Sequence, residues 1–133
     1  MKILKGSCFC GGIKYEIHGP LEEVLNCHCS DCRKAHGAAF RTRASVNGSD
    51  FKFIEGENLL KEYRSKVNEA RCFCSRCGSA LFTRFDHSEK IGFALGTLDD
   101  DPEVAVGMHL FVSDKAPWYD IVDDLPQYDE FSG

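Results

Sequence analysis

No stretch of the sequence approaches the ~20 consecutive apolar residues that cross a bilayer. The opening Met1-Lys2-Ile3-Leu4-Lys5-Gly6 is too short in apolar residues for an export signal. A membrane role is therefore not expected, and the chain reads as cytoplasmic. Basic residues are nearly missing from one end. Residues 99–133 hold one Lys/Arg against ten Asp/Glu, whereas residues 1–98 hold 15 against 11. The net charge of −5 thus combines +4 in the first part with −9 in the last. Phosphate would be repelled from the acidic end, which argues against nucleic acid as a partner. That end reads as solvated surface. Methionine is scarce, with 2 Met against 10 Phe, and this favours a sheet-rich core of fixed side-chain shapes. No linker or low-complexity tract interrupts the chain, so residues 1–133 are expected to form one domain.

Cysteine is plentiful instead. There are eight, and most fall in Cys-x-Cys or Cys-x-x-Cys spacing. Such close spacings suit metal ligands, and a reducing compartment disfavours disulfides. The run Cys27-His28-Cys29-Ser30-Asp31-Cys32 places three thiols within six residues. In extended backbone Cys27 and Cys29 share a face while His28 turns to the other. Ser30 and Asp31 suit the turn that brings Cys32 back. Three thiolates leave a metal one open position, as in catalytic zinc sites. Cys8, Cys10, Cys74 and Cys77 form a second set of four, which suits closed structural zinc. Gly78 after the second pair permits the positive φ of a tight knuckle. Cys72 is left over, either as a buried thiol or as a fourth ligand for the three-cysteine set. Iron held by the two Cys-x-x-Cys pairs is the other metal to weigh, but it leaves the Cys-x-Cys pairs unused.

Short alternating segments separated by turn residues predict a mainly β domain. Strands are expected over 13–17, 24–27, 38–46, 51–54, 59–63, 71–74, 80–85, 91–95 and 104–112. Ser30 to His36 should make one or two helical turns closed by Gly37. In the last segment Trp118, Ile121 and Leu125 are expected to pack onto the body.

Four stretches carry a resemblance. They are Gly6-Ser7-Cys8-Phe9-Cys10-Gly11-Gly12-Ile13-Lys14-Tyr15, Cys27 through Lys34, Phe73-Cys74-Ser75-Arg76-Cys77-Gly78-Ser79, and His109 through Trp118. Together they resemble the glutathione-dependent formaldehyde-activating (GFA) family, also called the centromere protein V/GFA domain, over about residues 6–128. The resemblance implies a β-tent fold of short antiparallel strands with two zinc ions per chain. It puts structural zinc on Cys8, Cys10, Cys74 and Cys77, and active-site zinc on Cys27, Cys29 and Cys32. It also implies a carbon–sulfur lyase that interconverts S-hydroxymethylglutathione with glutathione and formaldehyde.

A thiol substrate could lose its proton at such a metal, or the metal could polarise the aldehyde oxygen; the sequence leaves both open. Glutathione has two carboxylates, so Arg33, Lys34, Arg41 and Arg43 are candidates to bind it. His28 is expected to turn away from the metal into a supporting hydrogen bond, and His109 to be a satisfied core histidine. A zinc-stabilised binding module with two structural sites is the alternative function. The aldehyde, the thiol and the oligomeric state are not legible.

Overall fold

The computed structural model describes residues 2–132. Among them ten strands and one α-helix form, besides four single-turn 3-10 helices: β1 (Leu4–Ser7), β2 (Lys14–Ile17), β3 (Glu22–Cys27), α1 (Ser30–His36), β4 (Arg41–Asn47), β5 (Phe51–Glu55), β6 (Leu60–Lys66), β7 (Glu69–Cys74), β8 (Ala80–Phe85), β9 (Lys90–Ala94) and β10 (Met108–Leu110). The protein is mainly β, as expected. No helix is long and apolar enough to cross a membrane. The chain divides into two compact units, Met1–Glu22 with Ala44–Glu103, and Glu23–Arg43 with Val104–Gly133.

The first unit contains the antiparallel sheet β1-β2-β5 and the antiparallel run β9-β8-β7-β6. Period-two burial sets which side chains enter its core. In β7, Ala70, Cys72 and Cys74 are buried while Glu69, Arg71 and Phe73 are less so. The edge strand β6 is almost wholly exposed and carries Lys61, Glu62, Arg64 and Lys66, charges that discourage pairing with another chain. Tyr15 is the centre of the aromatic core. Its ring stacks on Phe51 at 4.4 Å and meets Phe93 edge-on at 6.4 Å. Each such ring contributes roughly 1.5–3 kcal/mol of apolar burial. The Tyr15 hydroxyl ends 2.6 Å from Thr97 Oγ1.

Burial raises the Tyr15 hydroxyl to about 12. Both folded and unfolded chains hold this proton below pH ~10. Between there and about 12 the unfolded chain releases it first, so folding stability should fall as pH rises through that window. A tyrosinate absorbance titration should show one of the four tyrosines ionising late, together with loss of fold. Four tyrosines titrating alike would contradict this.

The second unit is built on a parallel pair. Met108, His109 and Leu110 of β10 register with Leu25, Asn26 and Cys27 of β3. This pair departs from the expected antiparallel pattern. The register is set by distant hydrogen bonds rather than by a turn. The tail then runs beside β10, with His109 N–H donating to the Pro126 carbonyl at 2.9 Å and Tyr128 N–H to the His109 carbonyl at 3.0 Å. These bonds occupy the outer edge of a three-residue strand, which is shorter than the segment 104–112 read from hydropathy. The strand expected from Ala38 likewise begins only at Arg41. Ile121 and Leu125 are half-buried, but Trp118 stays 70% exposed and does not pack as expected.

Candidate metal centres

The first centre lies in the first unit. The sulfurs of Cys8, Cys10, Cys74 and Cys77 all lie within 4.8 Å of one another. Cys8 and Cys10 are 3.5 Å apart, and Cys10 and Cys74 are 3.9 Å apart. A disulfide would need about 2.05 Å. A tetrahedral zinc with Zn–S of about 2.3 Å places its sulfurs ~3.8 Å apart, so the donor set fits zinc. Backbone amides already point at the sulfurs, with Ile13 N–H donating to Cys8 at 3.2 Å and Gly12 N–H to Cys10 at 3.4 Å.

Two glycines make these approaches possible. Gly56 has φ 78, and a Cβ there would lie 1.9 Å from the Gly12 carbonyl oxygen. A side chain at position 56 would therefore push on the Cys10–Gly12 loop. Gly78, at φ 81, closes the second knuckle with an N–H to the Cys74 carbonyl at 2.8 Å. The backbone amide of Gly12, then the Arg76 guanidinium 3.3 Å away, hold the Cys10 thiol below its ordinary range. The Ser79 hydroxyl, followed by the Ser79 amide, pulls Cys77 down to about 5. Both effects favour thiolates, the form that binds metal.

The second centre lies wholly in the second unit. Cys27 ends β3, Cys29 caps α1 and Cys32 sits in the helix's first turn. The two-residue gap is thus bridged by helix rather than by a free turn. Cys29 Sγ accepts the Cys32 N–H at 3.3 Å, the bond a capping side chain makes. Gly37 ends the helix, as expected. The three sulfurs lie within 4.8 Å of one another, and no other donor among the described residues joins them. Around them Leu25 and Leu110 are buried, and Met108, Phe111 and Tyr128 pack against the same cluster. Shared hydrogen bonding with the Cys29 and Cys32 thiols, then burial, pushes the Cys27 thiol strongly upward. Three crowded thiols of this kind resist ionising together without a cation to balance them.

Cys72 belongs to neither set. It is 1% exposed, and its sulfur lies 3.8 Å from a Glu62 carboxylate oxygen. Burial raises its thiol to about 11, which keeps it protonated and inert.

His28 is fully buried, and Nε2 lies 2.9 Å from His109 Nδ1. His109 Nε2 in turn lies 3.0 Å from Asp123 Oδ2 and 3.2 Å from Oδ1. Both histidines therefore sit as the sequence suggested, one in a supporting bond and one satisfied in the core. Burial, then the neighbouring His109, lowers His28 to about 4. Its Nδ1 is buried with no hydrogen-bond partner. Leaving such a group unsatisfied costs about 1–3 kcal/mol. The bond to His109, then the Leu125 amide, holds the Asp123 carboxyl below its usual range. Sequence reasoning missed Asp123, because it lies in a segment that read as plain solvated surface.

The four basic candidates all fall in this unit. Arg33 is half-buried on α1, with Nε buried and unpartnered, and Lys34 is exposed. Arg41 is 5% exposed at the start of β4, and Arg43 is half-buried. Arg76 is a further cation beside a thiol that the sequence did not single out.

Residues 3–114 match the family described as glutathione-dependent formaldehyde-activating enzyme. A Halomonas elongata protein named "Putative glutathione-dependent formaldehyde-activating enzyme" is 30% identical over 128 residues, spanning 90% of this chain and 81% of its own. A crystal structure of a Rhodobacter sphaeroides protein is similar at a TM-score of 0.61 and 26% identity, over 73% of this chain and 89% of that one. The matched residues contain every cysteine of both sulfur sets. This chain belongs to the glutathione-dependent formaldehyde-activating family.

Proposed function

We propose that the chain is a zinc-dependent carbon–sulfur lyase that interconverts S-hydroxymethylglutathione with glutathione and formaldehyde, and that residues 1–133 act as one such domain in the cytoplasm. Two zinc ions per chain are assigned, a structural one to Cys8, Cys10, Cys74 and Cys77 and a reactive one to Cys27, Cys29 and Cys32. The observation that carries the reading is the unequal donor count, four sulfurs at one centre and three at the other. A binding module with two structural ions would need four donors at each, and the second set offers three.

In the lyase direction the adduct's hydroxyl gives its proton to solvent water, the O–H electron pair forms C=O, and the C–S bond breaks with its pair passing to sulfur, which leaves as thiolate. Zinc, when bound, would stabilise the thiolate form of the sulfur at neutral pH or polarise the aldehyde oxygen. The chain's own residues do the rest. Cys27, Cys29 and Cys32 converge on one point. Leu25 and Leu110, with Met108 and Phe111 packed against them, give that point an apolar surround. Arg33, Lys34, Arg41 and Arg43 supply cations for the two glutathione carboxylates. The unpartnered Nε of Arg33 is a buried donor suited to one of them.

Exchange NMR on a mixture of glutathione, formaldehyde and their adduct tests the reading. The zinc-loaded protein should speed interconversion well above the uncatalysed rate. Exchange at the uncatalysed rate would refute the lyase assignment.

A further inference from the structure

The tail from Pro126 onward is stitched to β10 and to the turn that follows it. His109 N–H donates to the Pro126 carbonyl at 2.9 Å, and Tyr128 N–H to the His109 carbonyl at 3.0 Å. Val112 N–H donates to the Tyr128 carbonyl and Phe111 N–H to the Glu130 carbonyl, both at 3.0 Å. The Ser113 hydroxyl donates to the Asp129 carbonyl at 2.7 Å. Both backbone polar groups of Tyr128 are thus held. Gln127 and Asp129 are exposed while Tyr128 between them is half-buried, the alternation of an extended segment with one face inward. The inward Tyr128 side chain packs against the buried cluster of Leu25, Leu110, Cys27 and Cys32.

Phe111 packs against the same cluster, and its backbone is left-handed at φ 56. A bulky residue keeps that conformation only where its surroundings impose it. The tail supplies contacts that do so, through the bonds to the Phe111 and Val112 amides and through the Phe131 ring, edge-on to Phe111 at 4.9 Å. Residues 126–131 therefore hold two aromatic side chains, Tyr128 and Phe111, on the cysteine cluster.

We propose that this strap is the specificity element of the three-cysteine centre: it fixes Tyr128 and Phe111 against the cysteines, where they limit the carbonyl-derived part of the adduct to a single carbon. In a thiol–aldehyde adduct the former carbonyl carbon is one bond from sulfur. When that sulfur reaches the point on which Cys27, Cys29 and Cys32 converge, a substituent on the carbon meets the side chains packed around them. Formaldehyde brings only hydrogen there, whereas acetaldehyde brings a methyl group against rings that the strap keeps in place. The adduct itself rests on the lyase reading; the size limit rests on the packing.

Titration of the zinc-loaded protein with S-methylglutathione and S-propylglutathione, read by the amide NMR shifts of Cys27 to Cys32, tests the limit without catalysis. The parent should bind the methyl compound at least about tenfold more tightly, the discrimination that a methylene or more meets at a fixed apolar wall. In Tyr128→Ala the two affinities should converge. Tyr128→Phe keeps the ring and should keep the parent's ratio. Tyr128 is half-buried, so the alanine opens space at the edge of the cluster, and all three proteins should hold two zinc ions. In the exchange reaction the preference for formaldehyde over acetaldehyde should fall about tenfold in Tyr128→Ala and not in Tyr128→Phe. A parent that binds both compounds equally, or neither at these amides, would overturn the proposal. So would an unchanged ratio in Tyr128→Ala, a phenylalanine variant that behaves like the alanine one, or loss of one zinc from Tyr128→Ala, which would make the ring a mere support for the sulfurs. The expected binding ratios in a parent that leaves exchange uncatalysed would refute the lyase reading and leave the size limit standing.

Discussion

Cys77→Ala should unfold the first unit at ambient temperature. The four sulfurs join a loop near the N-terminus to a knuckle more than sixty residues later, so one metal ion bound there would tie segments that otherwise lose chain entropy to meet. Structural zinc binding is worth roughly 10–16 kcal/mol in small domains, comparable with the ~5–15 kcal/mol that holds a whole domain folded. Removing one ligand leaves three thiolates in a site built for four and releases the Cys74–Gly78 turn. Circular dichroism and amide exchange should show loss of β structure and of protection in strands β1, β2 and β7. A chelator should do the same to the parent. Native-like protection in Cys77→Ala would contradict a structural role for this centre.

Cys29→Ser should do the opposite: the fold stays and the reaction goes. Serine at this position still caps α1, because its hydroxyl can accept the Cys32 N–H that Cys29 Sγ accepts now. The cap makes Ser a cleaner change than Ala, which would lose about 1 kcal/mol of helix stability besides. What Ser removes is a soft sulfur donor, leaving two where a reactive zinc needs three protein ligands. Adduct exchange should fall to the uncatalysed rate, the zinc content should drop from two to one per chain, and the unfolding midpoint should move by only a few degrees. Retained exchange would remove Cys29 from the reaction. Unfolding as complete as that of Cys77→Ala would collapse the distinction between the two centres.

Local chemistry made much of this legible before the fold. Cys-x-Cys and Cys-x-x-Cys restrict their own geometry, so both sulfur sets could be grouped from spacing. The span Ser30–His36 and its stop at Gly37 followed from the turn formers and the glycine. The alternation that turns His28 away from Cys27 and Cys29 held as well. Features set by distant partners were not legible. The β3–β10 pairing joins residues 83 positions apart, and hydropathy says nothing about which edge they share. Residues 104–112 read as one strand, because the tail that bonds β10 has no signature in that segment. Asp123 looked like one more charge in an acidic stretch, and only its place opposite His109 separates it from its neighbours. Trp118 was expected to pack onto the body with Ile121 and Leu125, yet it stays outside.

The account depends most on the second centre accepting a sulfur from outside the chain. Cobalt in place of zinc makes each centre visible through its thiolate absorption. Titrating the doubly loaded protein with glutathione should change the spectrum of one cobalt only, and Cys29→Ser should abolish that change. Spectra that stay constant, or a response arising from the four-cysteine centre, would contradict it.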